Sequence, residues 1–537
     1  MAKRFSLQET LDYVFDSNDE DVQDTASEDT SETDEAPETG DNQEQDQYPI
    51  GTDEETTDEE DADGEQDTYM SKNGSICWTS SPPPAKHSQT ALQMRPGITR
   101  YACSHAEDIK STFELFLTEE IQSIVLRMTN VEGRRVYANE WTDLDLADIQ
   151  AYIGVVILAG VYRSNNENME SLWHPDSGRA IFGAVMPLKT FRKISRVIRF
   201  DDKQTRIARR ANDKLAAIRV MWNKWVEQLP LMFNPGPHVT VDECLVPFRG
   251  RCPFKQYIPS KPAKYGIKIW AACDSQTSYA WQMQVYTGKS VSGQPEKNQG
   301  MRVVLDVTKG LWGHTIFCDN FFTSHALSQE LLKRKMTMVG TIRRNKPELP
   351  PALLATKDRA RFSSMFAFTE TQCLVSYCPK KRKNVLLLST LHRDTSVSSR
   401  DDKKPQIILD YNKSKGGVDN LDKMVATYTC KRKTARWPLV LFHNMLDVSG
   451  VNAHVLWSEI SPEWHAGKSC RRRLFLEELG KALVAPLMEK RQHFPRTPAS
   501  LCFLKKAKRS LEVENEASTS HQPSNPKEEV EVLPLFP

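Results

Sequence analysis

Between about residues 106 and 233, apolar residues recur at helical spacing, as in Phe113, Phe116, Ile121, Ile124 and Val125, and then Ile149, Ile153, Val156 and Ile157. This stretch is expected to be helical throughout. From His238 the apolar period shortens to two. Residues 238–245 read as a strand, and 266–272 and 278–287 read as two more, joined by Asp274-Ser275-Gln276-Thr277, which has the composition of a hairpin turn. Beyond them a short helix is expected over 301–309, a strand over 315–318, an amphipathic helix over 325–335 and an apolar strand over 336–342.

Three antiparallel strands followed by helix, strand, helix and strand is the order of a ribonuclease-H-like fold, so the predicted class is α+β. After Arg343 the chain is broken by Pro347, Pro350 and Pro351 and is strand-like over 366–377 and 385–391. It reads as an insertion before the next helix. Helical periodicity returns over 417–460 and again over 472–484, where Pro486 is expected to stop it.

Composition adds an asymmetry. The 71 acids and 71 bases cancel, yet the first 70 residues hold 26 acids against Lys3 and Arg4, leaving 45 acids and 69 bases in the remainder. Residues 17–68 are too polar to offset chain entropy by burial and are expected to be disordered. Ser27, Thr30, Ser31, Thr33 and Thr57 stand there among acids, as an acidophilic kinase requires, and a plain solubilising tail is the alternative. A second loose segment is expected over 71–98, around Pro82-Pro83-Pro84. The basic remainder has the footprint of a polyanion binder, nucleic acid first, with an ordinary solvated charged face as the alternative. Eleven scattered cysteines include no C-x-x-C pair, which indicates neither a disulfide framework nor a zinc knuckle; Cys373 and Cys378 read as buried strand thiols. With no run of about 18 apolar residues and no secretory apolar segment, a soluble intracellular protein is expected.

The chemistry resides in acids. Asp242 follows the apolar run Val239-Thr240-Val241, and Asp319 follows Ile316-Phe317-Cys318, so each ends or interrupts a strand with a carboxylate. Asp419 and Asp422 stand at i and i+3 near the start of a helix opened by Gly416-Gly417, on one helical face. Taken singly, each acid is more often explained as a turn former or a helix-dipole partner than as a metal ligand. Clustered carboxylates repel one another and call for cations, and Mg²⁺ takes oxygen ligands while leaving room for phosphate.

Five blocks extend this reading: Asp242-Glu243-x-x-x-x-Phe248-Arg249-Gly250-Arg251 with Lys261-Pro262-x-Lys264-Tyr265-Gly266-Ile267-Lys268; Cys318-Asp319-Asn320-Phe321-Phe322-Thr323-Ser324; Tyr411-Asn412-x-x-Lys415-Gly416-Gly417-Val418-Asp419-x-x-Asp422; and Arg432-Lys433-Thr434-x-Arg436-Trp437-Pro438. In content and order they resemble the signature blocks of the piggyBac transposase family, over roughly residues 100–490. The resemblance implies a catalytic triad of Asp242, Asp319 and Asp419 with Asp422 as a fourth acid, two bound Mg²⁺ ions with Mn²⁺ as a substitute, and action as a homodimer on double-stranded DNA. The implied chemistry is cleavage at transposon ends, hairpin formation and joining to TTAA sites; a domesticated DNA- or chromatin-binding descendant is the alternative. The implied organisation is a tail over 1–98, a helical dimerisation and DNA-binding domain over 99–237 and 430–495, a catalytic core over 238–345 and 406–429, an insertion domain over 346–405 and a disordered tail over 496–537. Family members usually finish with a Cys-rich zinc-binding domain, whereas here only Cys502 lies beyond Cys470, so no structural zinc is expected.

Three groups of bases are candidates for DNA contact. Arg249, Arg251, Lys255, Lys261, Lys264 and Lys268 are interleaved with Phe248, Phe254, Tyr257 and Tyr265, a mixture suited to backbone and unpaired bases, with ordinary packing of a cationic hairpin as the alternative. Lys380, Lys381, Arg382 and Lys383 lie in the insertion, and Lys431, Arg432, Lys433 and Arg436 precede Trp437. Lys505, Lys506, Lys508 and Arg509 read as a nuclear localisation signal, so the nucleus is the expected compartment.

Overall fold

The computed structural model describes residues 67–84, 91–259, 261–288 and 296–519. The kinase-type sites of the acidic tail lie outside them. The first described segment corrects the expectation of a loose chain after residue 71, because β1 (Thr68–Met70) and β2 (Cys77–Thr79) form an antiparallel hairpin. The reason is one side chain: Trp78 is fully buried, and its indole N–H donates to the Glu348 carbonyl at 3.1 Å. Lys72 adds a bond from its ammonium to the Arg344 carbonyl at 2.7 Å.

β3 (Gly97–Ile98) pairs with β4 (Phe233–Asn234), and the chain between them is helical as expected. Asp145 and Asp148 form a capping box that opens the helix Leu146–Val161, nearly every residue of which is buried. It is crossed by the later helix Arg471–Lys490 at two glycines. A Cβ on Gly154 would lie 2.9 Å from the Gly480 carbonyl, and one on Gly480 would lie 2.6 Å from Leu158. The crossing joins helices that precede and follow the sheet in sequence. It also explains why Pro486 does not end the second helix: Leu483, Val484 and Met488 bury the last turns and compensate for one lost backbone bond.

The β-branched run at 239–241 lies in the first half of β5 (His238–Pro247). β6 (Lys255–Tyr257) and β8 (Ala280–Val285) pair antiparallel with opposite ends of β7 (Tyr265–Asp274), and β7 pairs antiparallel with β5. Asp274 closes the expected hairpin turn by accepting from the Gln276 and Thr277 amides at 3.1 and 2.7 Å. On its other side β5 runs parallel to β9 (Thr315–Cys318), and β9 runs parallel to β10 (Thr337–Thr341). The helices Gln299–Val307 and His325–Lys333 form the connections. The order β8-β7-β5-β9-β10 is that of a ribonuclease-H-like sheet in an α+β fold.

The inserted segment continues this sheet. β11 (Ser364–Phe368), β12 (Cys373–Lys380) and β13 (Lys383–Ser389) form a meander whose last strand pairs with β10, while β2 pairs with β11 at Phe368. Among the described residues eleven strands therefore make one sheet. The apolar run over 366–377 is two strands, because Thr369 and Gln372 close a turn within it. The helical run expected over 417–460 is likewise two helices, Gly417–Thr427 and Trp437–Ile460, separated by an extended crossing. Trp437–Ile460 lies against the sheet, where Asn452 bonds both the amide and the carbonyl of Ala280 at 2.9 Å.

Part of the expected C-terminal disordered tail is a helix, Pro498–Thr519. Ser500 and Leu504, one turn apart, are buried, and Ser500 faces Gly183.

Because one indole anchors a hairpin of very short strands, Trp78→Ala should release residues 68–79 while the rest of the fold persists. Truncating a buried Trp removes about 3–5 kcal/mol of stabilisation, more than a three-residue pairing supplies by itself. Hydrogen exchange should show lost amide protection confined to this hairpin and its β11 partner. Unchanged protection would mean that Trp78 is not the anchor.

Candidate active site

Val241 of β5 stands beside Cys318 of β9 in parallel register, so the residues that follow, Asp242 and Asp319, emerge side by side from adjacent strands. Asp242 accepts from the Glu243 amide at 2.8 Å, and Asp319 accepts from the Phe321 amide at 2.9 Å. The helix Gly417–Thr427 comes directly against β5. Thr240 donates its hydroxyl to the Ser414 carbonyl at 2.6 Å, and a Cβ on Gly417 would lie 2.7 Å from the Thr240 hydroxyl. Thr240, Asp242 and Cys244 share one face of β5. That face meets the helix at both ends, because the Asp422 carboxyl lies beside the buried Cys244 thiol.

Three of the four acids are electrostatically costly. Burial and the neighbouring Asp319 push the Asp242 carboxyl up to about 7. Burial, with Asp419 nearby, pushes Asp422 up to about 6. Asp319 is raised as well, by burial first and then by Glu243. Asp419, with 57% of its side chain exposed, lies on the solvent side. Its nearest cation is Lys261, whose ammonium is 3.7 Å away and donates to the Glu243 carbonyl at 2.9 Å.

These oxygen donors suit a hard divalent ion, which would remove the repulsion that raises them. They are not drawn into a closed cage: among the described residues no three His, Cys, Asp or Glu side chains converge closely enough to hold an ion as they stand. The set resembles an open, charge-frustrated cleft with one ammonium in it. Thr240, Cys244 and Gly417, which help to shape the cleft, carry little individual signal in the sequence. Their clue is position, two residues either side of Asp242 on one strand face, and two residues before Asp419.

The expected DNA-contacting bases have different surroundings. Arg249, Arg251 and Lys264 are exposed around the β5–β7 connection. Lys255 is tied to the Arg249 and Gly250 carbonyls at 3.4 and 3.3 Å. Lys268 is bound to Glu243 at 2.7 Å and lies over the Phe321 ring. Lys380, Lys381, Arg382 and Lys383 form the exposed tip of the β12–β13 hairpin.

The block before Trp437 is internally bonded. Lys431 donates to the Pro247 carbonyl, Arg432 to the Ser164 and Glu167 carbonyls, and Arg436 to the Ser195 carbonyl at 2.6 Å. Trp437 packs edge-on against Phe254 at 5.0 Å. These side chains bind the crossing segment to the helical layer and the sheet, and Lys433 among them is exposed. Lys505, Lys506 and Arg509 lie on the outer face of the last helix, while Lys508 bonds the Arg491 carbonyl at 3.2 Å.

The sequence matches the family model described as Transposase IS4 over residues 109–454. The structure is similar to that of a piggyBac transposase, solved by cryo-EM as a synaptic complex with hairpin DNA, with a TM-score of 0.72 and 34% identity over 78% of this chain and 88% of that one. The chain belongs to the piggyBac-type Transposase IS4 family. Human relatives include PiggyBac transposable element-derived protein 3, 23% identical over 64% of this chain and 61% of its own length, and PiggyBac transposable element-derived protein 2, 22% identical over 68% and 65%. The chain thus spans less than two thirds of the length of these two relatives. In this piggyBac-type chain the family match includes all four acids, and excludes the β1–β2 hairpin and the helices after residue 454.

The raised acids have a consequence for stability. Asp242 binds its proton more tightly in the folded than in the unfolded state, so without metal the wild type should lose stability as pH rises from about 4 to about 7. Asp242→Asn removes this ionisation: it should match the wild type near pH 4 and exceed it above pH 7. Added Mg²⁺ should raise the wild-type melting temperature at pH 8 more than that of the variant. Parallel pH profiles would show that Asp242 is not destabilising in the folded state.

Proposed function

We propose that this piggyBac-type protein is a metal-dependent DNA strand transferase that cuts and joins at TTAA sites, acting as a homodimer on double-stranded DNA in the nucleus. The observation that carries this reading is that Asp242, Asp319 and Asp422 border one open cleft of a ribonuclease-H-like sheet, each buried enough to be raised in pKa. With Asp419 they would hold two Mg²⁺ ions, which when bound supply Lewis-acid activation of the attacking hydroxyl and stabilise the departing oxygen. The register of β5 against β9 fixes two of the carboxylates, and the Gly417–Thr427 helix brings the other two. The exposed flank of Asp419 leaves the cleft open to a phosphodiester. In the first step a water oxygen bonds to phosphorus and the bond to the 3′ oxygen breaks, releasing a 3′ hydroxyl. In the second that hydroxyl attacks the opposite strand, forming the hairpin and releasing another 3′ hydroxyl.

Exposed bases at the β12–β13 tip and around Arg249 supply sequence-independent contacts to phosphates. The basic outer face of the last helix suits recognition by an import receptor. A second reading, a domesticated DNA-binding protein without turnover, draws on the transposable element-derived proteins among the relatives and on the separation of the β12–β13 tip from the acids by β9, β10 and β13.

Asp319→Asn should abolish nicking and end joining in Mg²⁺ while changing DNA affinity by about twofold or less, because affinity resides in bases distributed over the surface. A pre-nicked end joined to a TTAA target by the wild type and not by the variant would establish strand transfer. Tight, salt-sensitive binding with no nicking or joining would select the second reading.

Duplex affinity should fall steeply with added salt. Deleting residues 1–66, which leaves the β1–β2 hairpin whole, should strengthen binding at low salt by removing a competing polyanion. Equal affinities of the full-length and shortened chains across a salt titration would count against screening by the tail.

A further inference from the structure

Lys261 was grouped by its sequence context with the DNA-contacting bases, yet its side chain is turned toward the acids. Its ammonium is held by the Glu243 carbonyl at 2.9 Å, stands 3.7 Å from an Asp419 oxygen, and interacts electrostatically with Asp422 and Asp242 as well. Only 20% of the side chain is exposed. The turn that carries it is internally braced, with the Ile258 amide bonded to the Lys264 carbonyl at 2.7 Å and the Lys264 amide to the Lys261 carbonyl at 3.0 Å. This places a compact monovalent cation, on an arm with four rotatable bonds, within reach of three carboxylates that are not closed around an ion.

We propose that Lys261 is a built-in counter-cation of the carboxylate cleft, which competes with divalent ions and yields its place when a DNA phosphate offers the ammonium another anion. The inference rests on the metal-dependent reading above and adds an order of events. A divalent ion entering beside a fixed ammonium meets like-charge repulsion at close range, which weakens its binding in the free protein. An ammonium drawn toward a backbone phosphate relieves that repulsion. DNA then strengthens metal binding, and by reciprocity metal strengthens DNA binding. Lysine suits this role better than arginine would, since its point charge carries no planar fork to fix it against one carboxylate.

The test measures Mn²⁺ affinity by electron paramagnetic resonance on the full chain, with and without a duplex of arbitrary sequence, in the wild type, Lys261→Met and Lys261→Arg. In the absence of DNA, Lys261→Met should bind Mn²⁺ at least about tenfold more tightly than the wild type, whereas Lys261→Arg should stay close to it. The duplex should tighten Mn²⁺ binding in the wild type by a similar factor and have much less effect in Lys261→Met. Wild-type affinity that is unchanged by DNA overturns the proposal without any variant, which covers the case in which Lys261→Met does not fold. If the wild type binds Mn²⁺ and Lys261→Met binds it equally or more weakly, the counter-cation role fails while the metal reading stands. If no form binds Mn²⁺ with or without DNA, both fail.

Discussion

The site depends on how closely the Gly417–Thr427 helix can approach β5. Strands deliver Asp242 and Asp319, but a sheet alone cannot bring a third and fourth carboxylate to the same point. A helix must lie against the strand face, at a distance that a side chain at position 417 would prevent: its Cβ would sit 2.7 Å from Thr240. The bond from Thr240 to the Ser414 carbonyl fixes the preceding turn at the same place. Glycine here is a steric requirement of helix packing and needs no unusual backbone angle. The same small residue that permits the approach also crowds the acids, so close packing and charge repulsion come together.

That repulsion links the fold to its chemistry. Burial raises Asp242 and Asp422 to about 7 and 6, and an ordinary interior would replace such groups. Their presence on the central strand and on its covering helix is intelligible where cations are bound in the working state. The supports around them are local: the Glu243 and Phe321 amides, the Cys244 thiol and the Lys261 ammonium. None of these pairs off all the charge, which leaves the cleft stable enough to fold yet receptive to additional positive charge.

The core strands were legible because short apolar, β-branched runs between turn residues are what two-sided packing requires, and the turn at Asp274 has the side chain its geometry demands. Asp242 and Asp319 were legible because each follows an apolar run, and Asp419 and Asp422 because they stand at i and i+3 behind Gly416-Gly417. The β1–β2 hairpin was hidden, since three-residue strands among Ser and Pro carry almost no period and Trp78 finds its partner about 270 residues away. The turn at 369–372 was hidden for a related reason: Thr and Gln do not interrupt a β-like run by composition. Arg432 and Arg436 show a different limit. A guanidinium that bonds carbonyls of a distant loop or helix is written in the same letters as one that faces solvent. That Lys261 is turned toward the acids was hidden in the same way, because a charged residue's direction is a property of the folded chain.

The β1–β2 hairpin bears on where such a chain can be cut. It pairs with β11 only at Phe368, so it covers one end of a strand that carries the apolar Met365, Phe366 and Phe368, an end that would otherwise offer a template for another molecule's strand. β1 forms the outer edge there with three residues, too few to seed pairing. A fragment trimmed to the family-matched span of residues 109–454 would keep every acid of the cleft and still lose this guard, together with the helix that crosses Gly154. Exposure of that strand end in the excised core is therefore set by a dozen residues that lie outside the family-matched span.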